Sequence, residues 1–90
     1  MTEDLKLKEV QDLMRRYYFM RDSARGLYAT FTWFVEEVGE LAEALISNDR
    51  ERSEEEIADV LAWLASIANL LNIDLNEAFK KKYLNPEPPH

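Results

Sequence analysis

The chain has 90 residues, 47% of them hydrophobic, and a formal net charge of −7 at pH 7. This length corresponds to one domain, and the acidic balance disfavours nucleic acid as a partner, because nucleic-acid binding needs a basic surface. Cysteine is absent, which excludes disulfides and thiolate chemistry. Because neither a signal peptide nor an apolar run of about 18 residues is present, we expect a cytoplasmic protein without membrane contact.

The sequence predicts an all-α fold, because nothing interrupts helical patterns before Asn85 and no strand-like alternation stands out. The first helix is predicted over residues 5–20, with apolar side chains at helical spacing. Thr2 or Asp4 is the expected cap at its start. A polar break is predicted over residues 21–26.

Three further helices are predicted after this break. Ser53 followed by Glu56 matches a capping box, in which the two side chains bond to opposite backbone N–H groups at a helix start. The predicted spans are 27–46 for the second helix, 53–71 for the third, 76–83 for the fourth, and 85–90 for a loose tail.

The second helix carries acidic side chains beside its apolar stripe. At helical spacing, Glu37 and Glu40 flank the stripe, whereas Glu36 and Glu43 fall on the opposite, solvated face. Trp33 lies between Glu37 and Glu40 in angle, one turn before Glu37. The stripe itself consists of Phe34, Val38, Leu41 and Leu45.

The third helix is apolar nearly all round over residues 57–71, which predicts burial on most sides. Asp59 is the only charged residue in that stretch. A buried carboxylate must be neutralised, paired or bound to a metal. Glu56 and Trp63 lie one turn to either side of Asp59 on the same face.

Helices joined by a short loop pack antiparallel, which can bring the two acidic pairs together. Four close carboxylates repel one another unless a divalent cation lies among them, and all-oxygen ligation selects Mg²⁺, Mn²⁺ or Ca²⁺. Zinc is disfavoured because the only histidine is His90. Each acidic motif alone is typical of a solvated helix face, and Asp59 could pair with an arginine instead. The joint occurrence of both pairs, each with a tryptophan one turn away, favours a metal site.

The run Glu36-Glu37-Val38-Gly39-Glu40-Leu41, followed by Glu56-Ile57-Ala58-Asp59, resembles the Glu-Glu-x-x-Glu and Glu-x-x-Asp signature of MazG-type nucleotide pyrophosphohydrolases. These proteins belong to the all-α NTP pyrophosphatase superfamily. The resemblance implies a four-helix fold that is oligomeric through its helices, as a homodimer or homotetramer with sites at subunit contacts. It also implies Mg²⁺-dependent hydrolysis of a (deoxy)nucleoside triphosphate to the monophosphate and pyrophosphate, with a role in cleaning the nucleotide pool.

The resemblance carries over to a catalytic set of five residues. It implies four Mg²⁺ ligands, with Mn²⁺ as a substitute: Glu37, Glu40, Glu56 and Asp59. Glu36 matches the first glutamate of the signature, which would support the site or orient a water.

Four residues are candidate substrate contacts. Lys82, or one of the two lysines before it, matches a phosphate-binding position, and Trp63 matches an aromatic position beside the nucleoside. Arg25 is a candidate for phosphate binding, and Trp33 for contact with the base because of its place on the helical wheel. Two other functions remain open: a non-catalytic helical dimerisation module, and a nucleotide or metal binder without turnover.

Overall fold

A computed structural model describes residues 3–84, and all of the regular structure in that range is helical. The predicted all-α class is confirmed. The predicted loose tail, residues 85–90, lies outside the described range. The four helices are α1 (Leu7–Arg25), α2 (Leu27–Ile46), α3 (Arg50–Leu70) and α4 (Leu75–Tyr83).

The predicted polar break after the first helix is wrong, because α1 continues through it to Arg25. Polar side chains at positions 21–25 do not interrupt a helix; the interruption is Gly26, whose φ of 97° is rarely adopted by residues with a Cβ. The predicted cap at Asp4 is also wrong, and Thr2 lies outside the described residues. Lys6 is the N-cap, and its backbone N–H donates to the Glu9 carboxylate at 2.8 Å.

The third helix begins earlier than the predicted capping box. Asp49 is the N-cap of α3, and its carboxylate accepts from the backbone N–H of Arg52 at 3.0 Å. Aspartate is among the best N-caps, so Ser53 lies inside the helix, where its hydroxyl donates to the Asp49 carbonyl at 2.7 Å. The short α2–α3 loop turns at Asn48, whose φ of 56° is a conformation that asparagine tolerates.

The main packing contact joins α2 to α3, and α1 lies across α3 with lighter contacts to α2 and α4. Small side chains are buried where these helices meet, which lets their backbones approach closely. The second half of α3 contributes Ala65, Ser66, Ala68 and Asn69, and α2 contributes Thr30 and Ala44.

A buried amide pair fixes α1 against the α3–α4 turn. The Gln11 amide donates to Asn69 Oδ1 at 3.1 Å and to the Ile73 carbonyl at 2.8 Å, and its oxygen accepts from the Leu75 backbone N–H at 2.7 Å. The Asn69 amide donates back to the Gln11 carbonyl at 2.9 Å. Because every one of these buried groups has a partner, the network specifies one arrangement of the three elements.

Much of the predicted core is exposed in the single chain. Val38 and Leu45 of the α2 stripe are exposed, and so are Leu61 and Leu64 of α3, which was predicted to be buried on most sides. The physical reason is that these side chains lie on faces of α2 and α3 that the other helices within residues 3–84 leave partly uncovered. No single helix within residues 3–84 is long and apolar enough to cross a membrane; α3 and α4 meet that test only together, across a 98° bend.

Candidate active site

Three of the predicted acidic residues meet between α2 and α3. Glu37 comes from α2, and Glu56 and Asp59 come from one face of α3, three residues apart. One carboxylate oxygen of each residue lies within 4.8 Å of the others. The antiparallel packing predicted from the short loop therefore brings together three of the four proposed metal ligands.

The electrostatics of this acidic group favour a cation. Partial burial, a hydrogen bond to Glu56 and the negative charges of Glu56, Asp59 and Glu40 together raise the pKa of Glu37 above its usual 4.5. In addition, Glu56 Oε2 is buried without a hydrogen-bond partner. A divalent cation would offset the repulsion among these carboxylates and ligate that oxygen, so the residues fit Mg²⁺.

Asp59 is exposed in the described chain, and its predicted burial is wrong. It lines a cavity between α1 and α3, so no packed side chain covers its carboxylate. Burial therefore does not require a metal at this residue. Its proximity to Glu37 and Glu56 supports a metal site instead.

Glu40 and Glu36 lie outside the group of three. The Glu40 carboxylate pairs with the Arg52 guanidinium at 3.2 Å, although its charge still contributes to the raised pKa of Glu37. Glu36 is exposed. The role of Glu40 as a fourth ligand and the supporting role of Glu36 stay predictions.

The two tryptophans and Arg25 form one stack beside the acidic group. The rings of Trp33 and Trp63 are nearly parallel, with an interplanar angle of 13° and centroids 6.4 Å apart. The Arg25 guanidinium lies 5.3 Å from the centre of the Trp63 ring. The fold thus brings together three of the four predicted substrate contacts.

Asp22 was given no role by the sequence, yet it is among the most buried charged residues, with 3% of its surface exposed. Its carboxylate lies 3.5 Å from the Arg25 guanidinium, so it holds the arginine of the stack in place. The predicted break over residues 21–26 concealed this pair, because the two side chains share a face only if the helix continues.

Asp22 and Asp59 also line one cavity of about 120 Å³ between α1 and α3. This cavity places a polar pocket directly beside the acidic group and the Trp63 ring. Its other lining residues are Met14, Tyr18, Arg21, Ala62 and Ser66.

Lys82 lies elsewhere. It is exposed on α4, beside an apolar groove that includes Leu61 and Leu64, and it does not line the cavity next to Asp59. Lys80, one of the two alternative phosphate contacts beside Lys81, forms an ion pair with Glu77 at 3.5 Å. Phosphate binding by this lysine run stays a prediction.

The raised pKa of Glu37 predicts how stability varies with pH in the metal-free protein. Folding favours the protonated form of Glu37. The contribution of Glu37 to the free energy of unfolding is therefore fully present below pH 4.5 and is lost as pH rises through the folded-state pKa. In EDTA, we expect Glu37→Gln to reduce this loss of stability with rising pH. Glu55→Gln, at an exposed position of α3, should lose as much stability as the wild type. Chemical unfolding between about pH 4 and 7 measures the effect; equal pH dependence in all three proteins would contradict it.

The comparisons with known proteins agree with this geometry. Residues 25–85 match the family described as the MazG nucleotide pyrophosphohydrolase domain. The matched segment covers more than half of the chain and includes α2, α3, α4 and the whole acidic group. No curated protein gives a significant match. The chain therefore belongs to the MazG nucleotide pyrophosphohydrolase domain family.

Proposed function

We propose that the protein is a Mg²⁺-dependent nucleoside triphosphate pyrophosphohydrolase, which converts a (deoxy)nucleoside triphosphate to the monophosphate and pyrophosphate. Membership of the MazG family supports a nucleotide substrate. The observation that carries the proposal is the group of Glu37, Glu56 and Asp59, in which close carboxylates and an unpartnered buried oxygen favour a cation.

Glu37, Glu56 and Asp59 would hold the ion, with Glu40 as a fourth ligand after it leaves Arg52. Carboxylate oxygens suit Mg²⁺ and also Mn²⁺. Bound there, the ion would neutralise phosphate charge and lower the pKa of a water.

The side chains around the acidic group would bind the rest of the substrate. Arg25, held by Asp22 and lying over Trp63, offers N–H donors to phosphate oxygens. The parallel rings of Trp33 and Trp63 offer an apolar surface for the base. Lys82 lies beside the apolar groove and not around the acidic group of the same chain, and it stays our candidate for neutralising the leaving pyrophosphate. In this proposal the base packs on the tryptophans, and the phosphates lie between Arg25 and the cation.

Membership of the pyrophosphohydrolase family supports cleavage between the α and β phosphates. The carboxylates would position water near the α-phosphorus, while basic side chains stabilise the charge on pyrophosphate as it leaves. No covalent nucleophile is needed. The sequence has only two glycines, so it lacks the glycine-rich loop with which P-loop enzymes surround the outer phosphates. Glu36 is our candidate for orienting the water.

Phosphorus NMR on a digest of several triphosphates, with Mg²⁺ present, tests the reaction. We expect monophosphate and intact pyrophosphate in equal amounts, and no product in EDTA. A diphosphate with free phosphate would contradict α–β cleavage. Nucleotide binding without any product would favour a non-catalytic binding module, and neither binding nor turnover would favour a helical dimerisation module.

A further inference from the structure

Arg52 forms an ion pair with Glu40, the proposed fourth metal ligand, which lies outside the acidic group. Its guanidinium lies 3.2 Å from Glu40 and 3.9 Å from Glu43, across the α2–α3 contact. Arg52 precedes Glu56 by four residues, and Glu40 follows Glu37 by three. Since residues at these spacings are neighbours on a helix surface, the pair lies one turn away from the acidic group along both helices.

The Glu40 carboxylate therefore has two cationic partners available, the guanidinium and an ion at the acidic group. Because Glu40 lies one helical turn from Glu37, its charge belongs to the same electrostatic environment. The pair with Arg52 is partly exposed, with 33% of the arginine side chain and 53% of the glutamate side chain accessible. Exposed ion pairs are weak and readily exchanged, so a divalent cation can displace the guanidinium.

We propose that Arg52 is a positioning residue that competes with the divalent cation for Glu40. In the metal-free protein it holds the carboxylate beside the site and lowers the local negative charge. When the cation binds, Glu40 exchanges the guanidinium for the ion. Arg52 thus sets the cation concentration at which the site fills. This inference rests on the proposed function, because it requires the acidic group to bind a divalent ion.

Arg50 offers a matched control for this competition. It lies two residues earlier in α3, it carries the same charge, and it pairs with Glu54 at 3.7 Å rather than with an acid of the site. Mn²⁺ binding without nucleotide, measured by electron paramagnetic resonance, reports directly on cation affinity. We expect Arg52→Gln to bind Mn²⁺ about threefold to tenfold more tightly, and Arg50→Gln to change affinity by less than about twofold.

Two further variants separate competition from a general charge effect. Arg52→Lys keeps the charge and should retain affinity within about twofold of the wild type. In a Glu40→Gln background, Arg52→Gln should no longer tighten binding, since the contested carboxylate is gone.

Equal affinities of Arg52→Gln and Arg50→Gln, or an undiminished gain in the Glu40→Gln background, would overturn the competition. Either result leaves the proposed function standing if the wild type binds Mn²⁺. Failure of the wild type to bind Mn²⁺ would overturn both. Circular dichroism of each variant confirms that the helices are retained.

Discussion

Asp59→Asn is expected to lower Mg²⁺-dependent pyrophosphate release by more than about a hundredfold, with the helical content retained. Asparagine keeps the size of the side chain but removes the charge that the cation needs. The position is exposed in the single chain, so the exchange disturbs no described core contact. The metal-free protein should gain slightly in stability, because one source of repulsion on Glu37 is removed.

Three measurements on the same preparations check this expectation: pyrophosphate release at saturating Mg²⁺, Mn²⁺ affinity, and thermal unfolding in EDTA. Glu55→Gln removes a charge from an exposed position of the same helix and should keep full activity. Wild-type activity in Asp59→Asn would exclude this carboxylate from the site. A loss of activity without a loss of Mn²⁺ affinity would assign it a role other than metal binding.

The second prediction concerns assembly: we propose that the protein forms a homodimer or homotetramer. An apolar groove of about 430 Å³ runs between α3 and α4. Several of its large side chains remain half exposed, including Leu61 at 40%, Leu64 at 42%, Phe79 at 55% and Tyr83 at 50%. Contiguous apolar surface of this kind is typical of subunit interfaces, and a chain of about 90 residues has a marginal core of its own.

The unfolding midpoint should therefore rise with protein concentration, since association stabilises only the folded chain. Leu64→Glu places a charge in the groove and should shift the protein toward the monomer in light scattering, with a melting temperature lower by several degrees (roughly 5 °C). Met20→Glu is the control, because Met20 is an exposed apolar residue of α1 outside the groove. A stable wild-type monomer at micromolar concentration would contradict the assembly.

Local sequence patterns determined the helices and most of the acidic site. Helical spacing alone placed Glu37 beside the apolar stripe of α2 and put Glu56 and Asp59 on one face of α3. The short connection between these helices then predicted that the two sets meet, and they do. These features can be predicted from the sequence because a helix fixes the angular position of each side chain, whatever the helix packs against.

Only the tertiary structure decided which charged groups pair and which side chains are covered. Glu40 is held by Arg52 because α2 packs against α3. Asp59 is exposed because it lines the cavity between α1 and α3 instead of a packed contact. Such outcomes depend on where a neighbouring helix lies, and the periodicity of a single helix carries no information about that position.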